Sequence, residues 1–421
     1  MPHLTYFCGT MQFSPKLAPL QFVNYRKFII TRFFLIMALR MVSTVVAYKL
    51  FHLTKSSFSI GLVGLSEFIP VFSLALYAGH IIDLSDKRTL LLKGFLCYIG
   101  CVLILIALTS SWSEARLSSR MIEYCTYGVI FITGIIRAFV GPATNAIIAQ
   151  LIPREHLPIA ANISSSTWLS ASILGHASAG FFIAWFGVHY TFYIICCYVI
   201  IAVLVFSGVP KLPPAVKDAP AKTWDSVKEG LNYVFKNKIL LGAISLDLFA
   251  VLFGGAVALI PEVAAMILKV GPIGFGWLNA ASDIGSVISI IFIILNPLKK
   301  QQGRLLFFVV AGFGACIIIF GLSDIFWISF AVLLLSGVLD GISVVVRGTI
   351  LQLTTPDNMR GRVSSVNSMF INSSNELGQF ESGFTSRLMG TVPAIIFGGC
   401  MTMAVVIFMW FKAPSLRKFE Y

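Results

Sequence analysis

The chain has 421 residues, of which 57% are hydrophobic and only 12% are charged. A soluble protein carries roughly a quarter charged residues, so this composition excludes a water-soluble globular domain and indicates a protein embedded in lipid. The net charge of +13 is compatible with nucleic-acid binding, but the distribution of the basic residues along the chain assigns it to membrane topology.

A membrane-spanning helix needs roughly 20 apolar residues. Six such stretches fill the first half of the chain, and six more follow a polar interval. The sequence therefore predicts an all-α membrane protein of twelve transmembrane helices in two pseudo-symmetric six-helix halves. The predicted spans begin near Phe28, Phe58, Thr89, Ile122, Ala160, Val188, Ile239, Ile273, Arg304, Trp327, Arg362 and Val392. No cleavable signal segment is expected before the first span.

The polar interval divides the chain into segments with different predicted roles. It begins with a proline-rich stretch, which cannot continue a helix. Apolar residues then recur at helical spacing at Trp224, Val227, Leu231 and Val234, which predicts an amphipathic helix on the inner membrane surface. The predicted segments are a cytoplasmic N-terminal segment (1–27), the first half (28–209), a cytoplasmic linker (210–238), the second half (239–412) and a cytoplasmic tail (413–421).

Lysines and arginines in the loops concentrate on the side that holds the two termini. Those assigned to the other side are Lys55, Arg116, Arg120 and Lys269. This positive-inside asymmetry predicts cytoplasmic termini in a bacterial inner membrane. The eight cysteines are scattered, and neither a metal site, a cofactor nor a nucleic-acid partner is expected.

The two halves are related by an internal repeat. A gapless shift of 203 positions from the fourth span onward superimposes Gly134 on Gly337, Pro153 on Pro356, Gly175 on Gly378, Gly180 on Gly383 and Gly187 on Gly390. Parallel six-helix repeats are the architecture of one large class of transporter, in which the substrate site lies between the halves near mid-membrane.

Charged residues within the spans are candidates for a substrate or proton pathway, because a charge at the bilayer centre costs roughly 2.5–3.5 kcal/mol or more. Those predicted near mid-membrane are Arg40, Glu67, Arg137, Asp283, Asp340 and Glu376, and Asp247 and Arg347 lie nearer the cytoplasm. Two interpretations remain open: ion pairs that hold the bundle together, or a transport pathway. The repeat favours the pathway, because it places Arg137 and Asp340 at equivalent positions. We expect Arg137 to pair with an acid such as Glu67, and Asp340 with Arg40 or Arg347. Protonation of an acid would free an arginine for an anionic solute.

Polar side chains also follow one face of the eleventh span, at Asn372, Asn375, Glu376 and Gln379. Its repeat partner, the fifth span, carries several serines and His176. Such stripes face either a wet cavity or another helix. His176 could titrate in a proton path or serve as a hydrogen-bonded packing residue.

The loop after the second span resembles the signature loop of the major facilitator superfamily: Gly79, then Asp83, then the basic pair Lys87 and Arg88. The resemblance implies a gating role, in which the acid ties neighbouring helix ends. The segment from Arg137 to Pro142 resembles the arginine motif of the family's fourth span, which is implicated in proton handling.

Three glycine-rich or polar stretches extend the resemblance. The segment from Gly175 to Gly180 resembles the glycine-rich fifth-span motif of the family's antiporters, although His176 stands where proline is usual. Gly378 and Gly383 are the repeat equivalents and are expected to pack helices. Leu246–Gly255, Val270–Ala281 and Met359–Gly383 are similar to the branch of the superfamily that contains the enterobactin exporter.

The resemblance implies a monomeric, proton-coupled exporter of a small amphipathic solute, either a siderophore or a drug-like compound, with the bilayer as its other partner. It also implies a central cavity lined by the first, fourth, seventh and tenth spans. A lipid or lysophospholipid transporter of the same superfamily is the alternative. An intramembrane enzyme or a scaffold is disfavoured, because neither a zinc-protease nor a serine-hydrolase motif is present and a scaffold has no use for mid-membrane charges.

Overall fold

The computed structural model of the protein describes residues 15–212, 223–296, 301–356 and 359–420. These residues form helices joined by short loops, and no strand occurs among them. Inside a bilayer every backbone N–H and C=O must find a partner within the protein, and a helix satisfies both groups locally.

The described residues contain twelve helices of membrane-spanning length, which we number α1 to α12. They are α1 (Val23–Thr54), α2 (Ser57–Leu84), α3 (Lys87–Leu108), α4 (Ser119–Leu151), α5 (157–186), α6 (188–207), α7 (Lys238–Ile267), α8 (Pro272–Leu295), α9 (Gln302–Leu322), α10 (Phe326–Thr354), α11 (Arg360–Met389) and α12 (Thr391–Lys412). Each helix begins at, or a few residues before, its predicted position, so the twelve predicted spans are confirmed.

The polarity of α11 sets it apart from the other helices. Ten stretches of the described residues are long and apolar enough to cross a membrane. One of them, Arg154–Ser207, contains both α5 and α6, and α11 is not among the ten. α11 packs against α2, α7 and α12, and of its polar stripe Glu376 is buried and Gln379 half-buried, whereas Asn372 and Asn375 are exposed.

Two glycines make the turns that separate the last two helices of each half. Gly187 lies between α5 and α6 with φ 79°, and Gly390 lies between α11 and α12 with φ 90°. A side chain would strain either residue, because L-residues with a Cβ rarely adopt positive φ. These two glycines are equivalent under the internal repeat, so the same turn is built twice.

The repeat also extends to helix packing within each half. A Cβ on Gly175 of α5 would lie 2.8 Å from the carbonyl oxygen of Met37 in α1. A Cβ on the equivalent Gly378 of α11 would lie 2.8 Å from the carbonyl oxygen of Val251 in α7. In both halves a glycine therefore allows the fifth helix to approach the backbone of the first, as expected from the sequence.

The linker forms a helix over Thr223–Lys236, as the periodicity predicts. The side chains of Trp224 and Val227, two of the four residues of the apolar stripe, lie outside the described part of the chain. Val234 is buried with Met359 and Val363 at the start of α11, rather than resting on the membrane surface. An ion pair of 2.8 Å between Glu229 and Arg362 adds to this contact. The described end of the linker helix is thus joined to the second half.

Candidate transport pathway

Most of the contact between the two halves, within the described residues, is made by two helix pairs: α2 packs against α11, and α5 packs against α8. Glycines bring both pairs close together. A Cβ on Gly383 of α11 would lie 2.9 Å from the Cα of Gly61 in α2, and a Cβ on Gly180 of α5 would lie 3.0 Å from the Cα of Gly276 in α8. All four glycines lie near the end of the bundle at which α1 ends and α2 begins, which we call the closed end.

A cavity of about 910 Å³ lies toward the opposite end, which we call the open end. Residues near that end of five helices line it, namely Phe28 in α1, Gly79 in α2, Gly94 in α3, Asn145 in α4 and Ser364 in α11. At about 1.5 Å per residue, the lining along α11 extends roughly 18 Å, from Ser364 to Glu376. The halves therefore touch at one end and leave a deep space between them at the other.

The expectation that the seventh and tenth spans line this cavity is wrong. Its described lining comes from α1, α2, α3, α4, α5 and α11. The close approach of α11 to α7 at Gly378 explains the difference, because α11 supplies the wall that the second half presents to the cavity. Arg40, Asp340 and Arg347 are likewise not among the described lining residues, whereas Arg137 and Glu376 are.

An ion-pair cluster, which we call the roof cluster, lies at the deep end of the cavity. Arg137 of α4 donates to Glu67 of α2 at 2.6 Å and to Glu376 of α11 at 2.8 Å. Gln379 donates to the second oxygen of Glu376 at 3.1 Å. The expected pairing of Arg137 with Glu67 is confirmed, and the contact with Glu376 adds a bridge between the two halves. One cation faces two carboxylates, so the cluster carries an excess of acid.

A second polar cluster connects the halves at α8. Ser172 of α5 donates to Asp283 of α8 at 2.5 Å, and His176 Nε2 lies 3.8 Å from the same carboxylate. The other ring nitrogen of His176 lies 2.7 Å from the hydroxyl of Thr44 in α1. His176 is therefore hydrogen-bonded in a helix contact, and it also lies beside a carboxylate with which it could exchange a proton.

Arg40 is held beside this α8 cluster by an aromatic ring. Its guanidinium carbon lies 4.9 Å from the centre of the Trp168 ring, within the range of a cation–π contact. Trp168 itself faces the cavity. Arg40 is thus placed behind the cavity wall rather than in it.

The third charged cluster lies within the second half. Arg347 of α10 forms an ion pair with Asp247 of α7, and its guanidinium lies 3.8 Å from Asp340 of its own helix. The expected pairing of Asp340 with Arg347 is confirmed. Arg347 also donates to the backbone oxygen of Ser343 at 3.3 Å. The cluster holds α7 against α10 and does not cross to the first half in the part of the chain that the structure describes.

The loop between α2 and α3 is fastened by Asp86, which the sequence analysis did not single out. Asp86 caps α3 and accepts hydrogen bonds from Thr89 at 2.5 Å and from the backbone N–H of Leu212 at 3.2 Å. Although burial opposes ionisation, these hydrogen bonds hold the pKa of Asp86 below its ordinary value. Asp86 thereby ties the start of α3 to the chain that follows α6.

Among the predicted gating residues, the basic pair also contacts this region. Arg88 donates to the backbone oxygen of Ser207 at the end of α6 at 2.7 Å. Lys87 is buried, and the backbone of Gly79 and Asp83 belongs to α2. The side chain of Asp83 lies outside the described part of the chain, so its gating role stays a prediction.

Sequence reasoning also missed Arg32, which lines the cavity on α1. Because Arg32 lies only four residues after the predicted start of the first span at Phe28, the sequence suggests that its side chain reaches the membrane surface. The signal that could have identified it is its position on α1, two helical turns before Arg40, which puts both arginines near one face of the helix.

Comparison with known proteins agrees with this architecture. The profile of the Major Facilitator Superfamily matches residues 28–379. The chain belongs to this superfamily. The superfamily assignment and the paired six-helix halves make the protein a multi-pass membrane transporter.

Relatives and solved structures support the same fold. The chain is 22% identical over 399 residues to the enterobactin exporter EntS of Shigella flexneri, covering 94% of this chain and 93% of the relative. The EntS protein of Escherichia coli O1:K1 is 23% identical with the same coverage. The nucleoside transporter NupG superimposes with TM-score 0.69 at 14% identity, covering 94% of this chain and 100% of NupG. An inward-open structure of the xylose transporter XylE of E. coli gives TM-score 0.67 at 14% identity, covering 92% and 96%.

Proposed function

We propose that this protein is a proton-coupled exporter that carries a small amphipathic solute, a siderophore or a drug-like compound, out of the cytoplasm by alternating access. The observation that carries the proposal is the cavity between the halves, which is deep at the open end and ends at the roof cluster below the glycine contacts. A space that reaches the middle of the bundle from one end is one of the two states that alternating access requires.

The distribution of charge supports a cytoplasmic location for the open end. The closed end carries the four cations that the sequence assigns to the outer side, Lys55, Arg116, Arg120 and Lys269. The helix ends and loops at the open end carry many more, including Lys27, Lys87, Arg88, Arg154, Lys236, Arg360, Arg362, Lys412 and Arg417. Since positively charged loops stay on the cytoplasmic side, this asymmetry favours a cavity that faces the cytoplasm, with both chain termini on the same side. A solute made in the cell would therefore enter from the cytoplasm.

The lining of the cavity favours an amphipathic solute. Accessible aromatic side chains, including Phe68, Phe72 and Trp168, line part of it, and polar groups of α11 such as Ser368 and Asn372 form one wall. Pockets for small molecules are commonly of this volume and combine an apolar surface with a few placed polar groups. Relatives named as enterobactin exporters support a siderophore as the solute.

The roof cluster is our proposed site of proton coupling. Ionised Glu376 accepts a charge-assisted hydrogen bond from Arg137 and so joins α11 to α4 across the halves. Protonation of Glu376 or Glu67 removes one negative charge and weakens this bridge. A proton gradient can thereby change the relative free energies of the states open to the cytoplasm and to the outside.

The test uses purified protein in proteoliposomes, with the cytoplasmic face exposed and an acidic interior. We expect enterobactin to accumulate inside, and a protonophore that dissipates the gradient to abolish the accumulation. Glu67→Gln and Glu376→Gln should each abolish gradient-driven uptake while leaving enterobactin binding measurable. Equal uptake with and without the gradient would contradict proton coupling. Transport of a fluorescent lysophospholipid in place of enterobactin would favour the lipid-transporter alternative.

A further inference from the structure

Arg32 of α1 is a cation that faces the cavity. At about 1.5 Å per residue, it lies roughly 13 Å along α1 from the first residue of the helix and roughly 6 Å from the predicted start of the span at Phe28. Its side chain is half-buried, and a cation taken partly out of water is costly unless it has a partner or a function.

No partner for Arg32 is present among the described residues. Its Nε is buried and makes no hydrogen bond, and no carboxylate of the described chain lies within ion-pair distance of its guanidinium. The neighbouring Tyr25 donates its hydroxyl to the backbone oxygen of Ala160 at 2.8 Å, so it does not neutralise the arginine.

The other two arginines near the cavity are engaged. Arg137 forms ion pairs with Glu67 and Glu376, and Arg40 stacks on Trp168. Arg32 therefore has an unused guanidinium, with donors suited to a carboxylate or another planar anion.

The groups that share the cavity with Arg32 define the rest of the ligand. Phe68, Phe72 and Trp168 provide accessible aromatic surface, and Ser368 and Asn372 of α11 offer hydrogen bonds. A ring system with an anionic group would place its charge on Arg32 and its apolar surface on these aromatic side chains.

We infer that Arg32 is the anion-binding residue of the cavity and that the solute is an aromatic or amphipathic anion held by a carboxylate or similar oxyanion. This inference rests on the proposed export function for its meaning. The charge of the cavity can nevertheless be measured without any transport.

The first experiment measures how Arg32 changes the electrostatic potential in the cavity, through the reactivity of an introduced cysteine. Ser368→Cys is made in a background in which the eight native cysteines are replaced by serine or alanine. Its rates of reaction with the anionic sulfonatoethyl and the cationic trimethylammonioethyl methanethiosulfonates are then compared. We expect Arg32→Gln to lower the anion-to-cation rate ratio about tenfold, because a unit charge across a partly hydrated cavity affects the two reagents in opposite directions. Arg32→Lys should keep most of the ratio.

The matched control is Arg26→Gln, which removes the same charge from the exposed first turn of α1. Arg26 is not among the lining residues of the cavity, so its replacement should change the ratio by less than about twofold at physiological ionic strength. An equal effect of both variants, or no effect of Arg32→Gln, would overturn the inference. Size-exclusion elution and thermal stability of each variant verify that it is folded.

The second experiment tests the ligand class with two compounds that differ in charge. Salicylate carries a carboxylate, whereas salicylamide carries a neutral amide on the same hydroxylated ring. We expect salicylate at millimolar concentration to slow modification of Ser368→Cys at least threefold, and salicylamide to slow it little. Arg32→Gln should abolish the protection by salicylate.

The outcomes separate this inference from the proposed function. Protection that is equal for both compounds, absent for salicylate, or unchanged by Arg32→Gln overturns the role of Arg32. Proteoliposomes that accumulate no solute while protection behaves as expected refute export but leave an anion site at Arg32.

Discussion

Replacement of Glu376 by glutamine is the most direct test of the roof cluster as a bridge between the halves. Glu376 is 5% exposed and accepts hydrogen bonds from Arg137 and Gln379. Glutamine keeps the size and one acceptor oxygen but removes the charge. Arg137 keeps its ion pair with Glu67, so the cost is smaller than that of leaving a buried cation alone.

The expected magnitude follows from the bond that is lost. A hydrogen bond between charged groups contributes about 1.5–3 kcal/mol and a neutral one about 1 kcal/mol, so the exchange weakens the bridge by about 0.5–2 kcal/mol. That difference changes the ratio of the two states about 2- to 30-fold. We expect the population in which the closed end has opened to rise by this factor.

The assay is a distance measurement between spin labels at the closed end. Trp112, between α3 and α4, and Trp327, at the start of α10, are both exposed and belong to opposite halves. Labelled cysteines at these positions should show a longer-distance population in Glu376→Gln. Acidification should produce the same population in the parent protein, because protonation removes the same charge.

Glu381→Gln is the matched control, because Glu381 lies on the same helix and forms no ion pair across the halves within the described residues. It should leave the distance distribution unchanged. If Glu376→Gln also leaves it unchanged, or if Glu381→Gln alters it equally, the roof cluster does not stabilise the state in which the closed end is shut.

Four further predictions test other parts of the molecule. Gly180→Leu should prevent α5 from approaching α8 and so hold the closed end open, which the same spin-label pair would report. Asp340→Asn should leave gradient-driven transport in proteoliposomes largely intact, because Asp340 pairs with Arg347 inside the second half and lies outside the roof cluster; loss of transport would place a coupling group in the second half. Asp86→Ala should lower the free energy of unfolding by about 1 kcal/mol through loss of the helix cap. Because the folded pKa of Asp86 is lowered, the parent should lose this contribution as the pH falls below about 4, and equal acid sensitivity of the variant in thermal unfolding would contradict the assignment. A reporter that is active only outside the inner membrane, fused after the last residue, should give no signal if the C-terminus is cytoplasmic.

Much of the fold is readable from the sequence, because the apolar runs that predict spans are long and the loops between them are short. The sequence also predicts the polar helix α11 as a span, although α11 is less apolar than the other spans. The pairing of Arg137 with Glu67 is predictable for a related reason. Buried charges in a low-dielectric interior must pair, and few acids lie near mid-membrane.

The composition of the cavity wall could not be predicted in the same way. Whether α11 or α7 faces the space between the halves depends on the state that the transporter occupies and on close packing at Gly378. Neither leaves a local pattern in the chain. The role of Arg32 is hidden for a similar reason, because the absence of a nearby acid among the described residues is a property of the folded bundle and not of the residues adjacent in sequence.

At positions related by the internal repeat, the glycines that pack helices are the same in both halves, whereas the charged residues differ. Gly175 and Gly378 make the same contact in their respective halves, and Gly187 and Gly390 make the same turn. The charged position behaves differently. Arg137 bridges the halves at the roof of the cavity, whereas the equivalent Asp340 is paired with Arg347 inside its own half. Helix packing imposes the same demand on both halves, so its glycines stay equivalent. Helices of the first half build most of the cavity wall, so the cavity does not need equivalent charges in both halves. The bridge at Arg137 accordingly has no counterpart at Asp340.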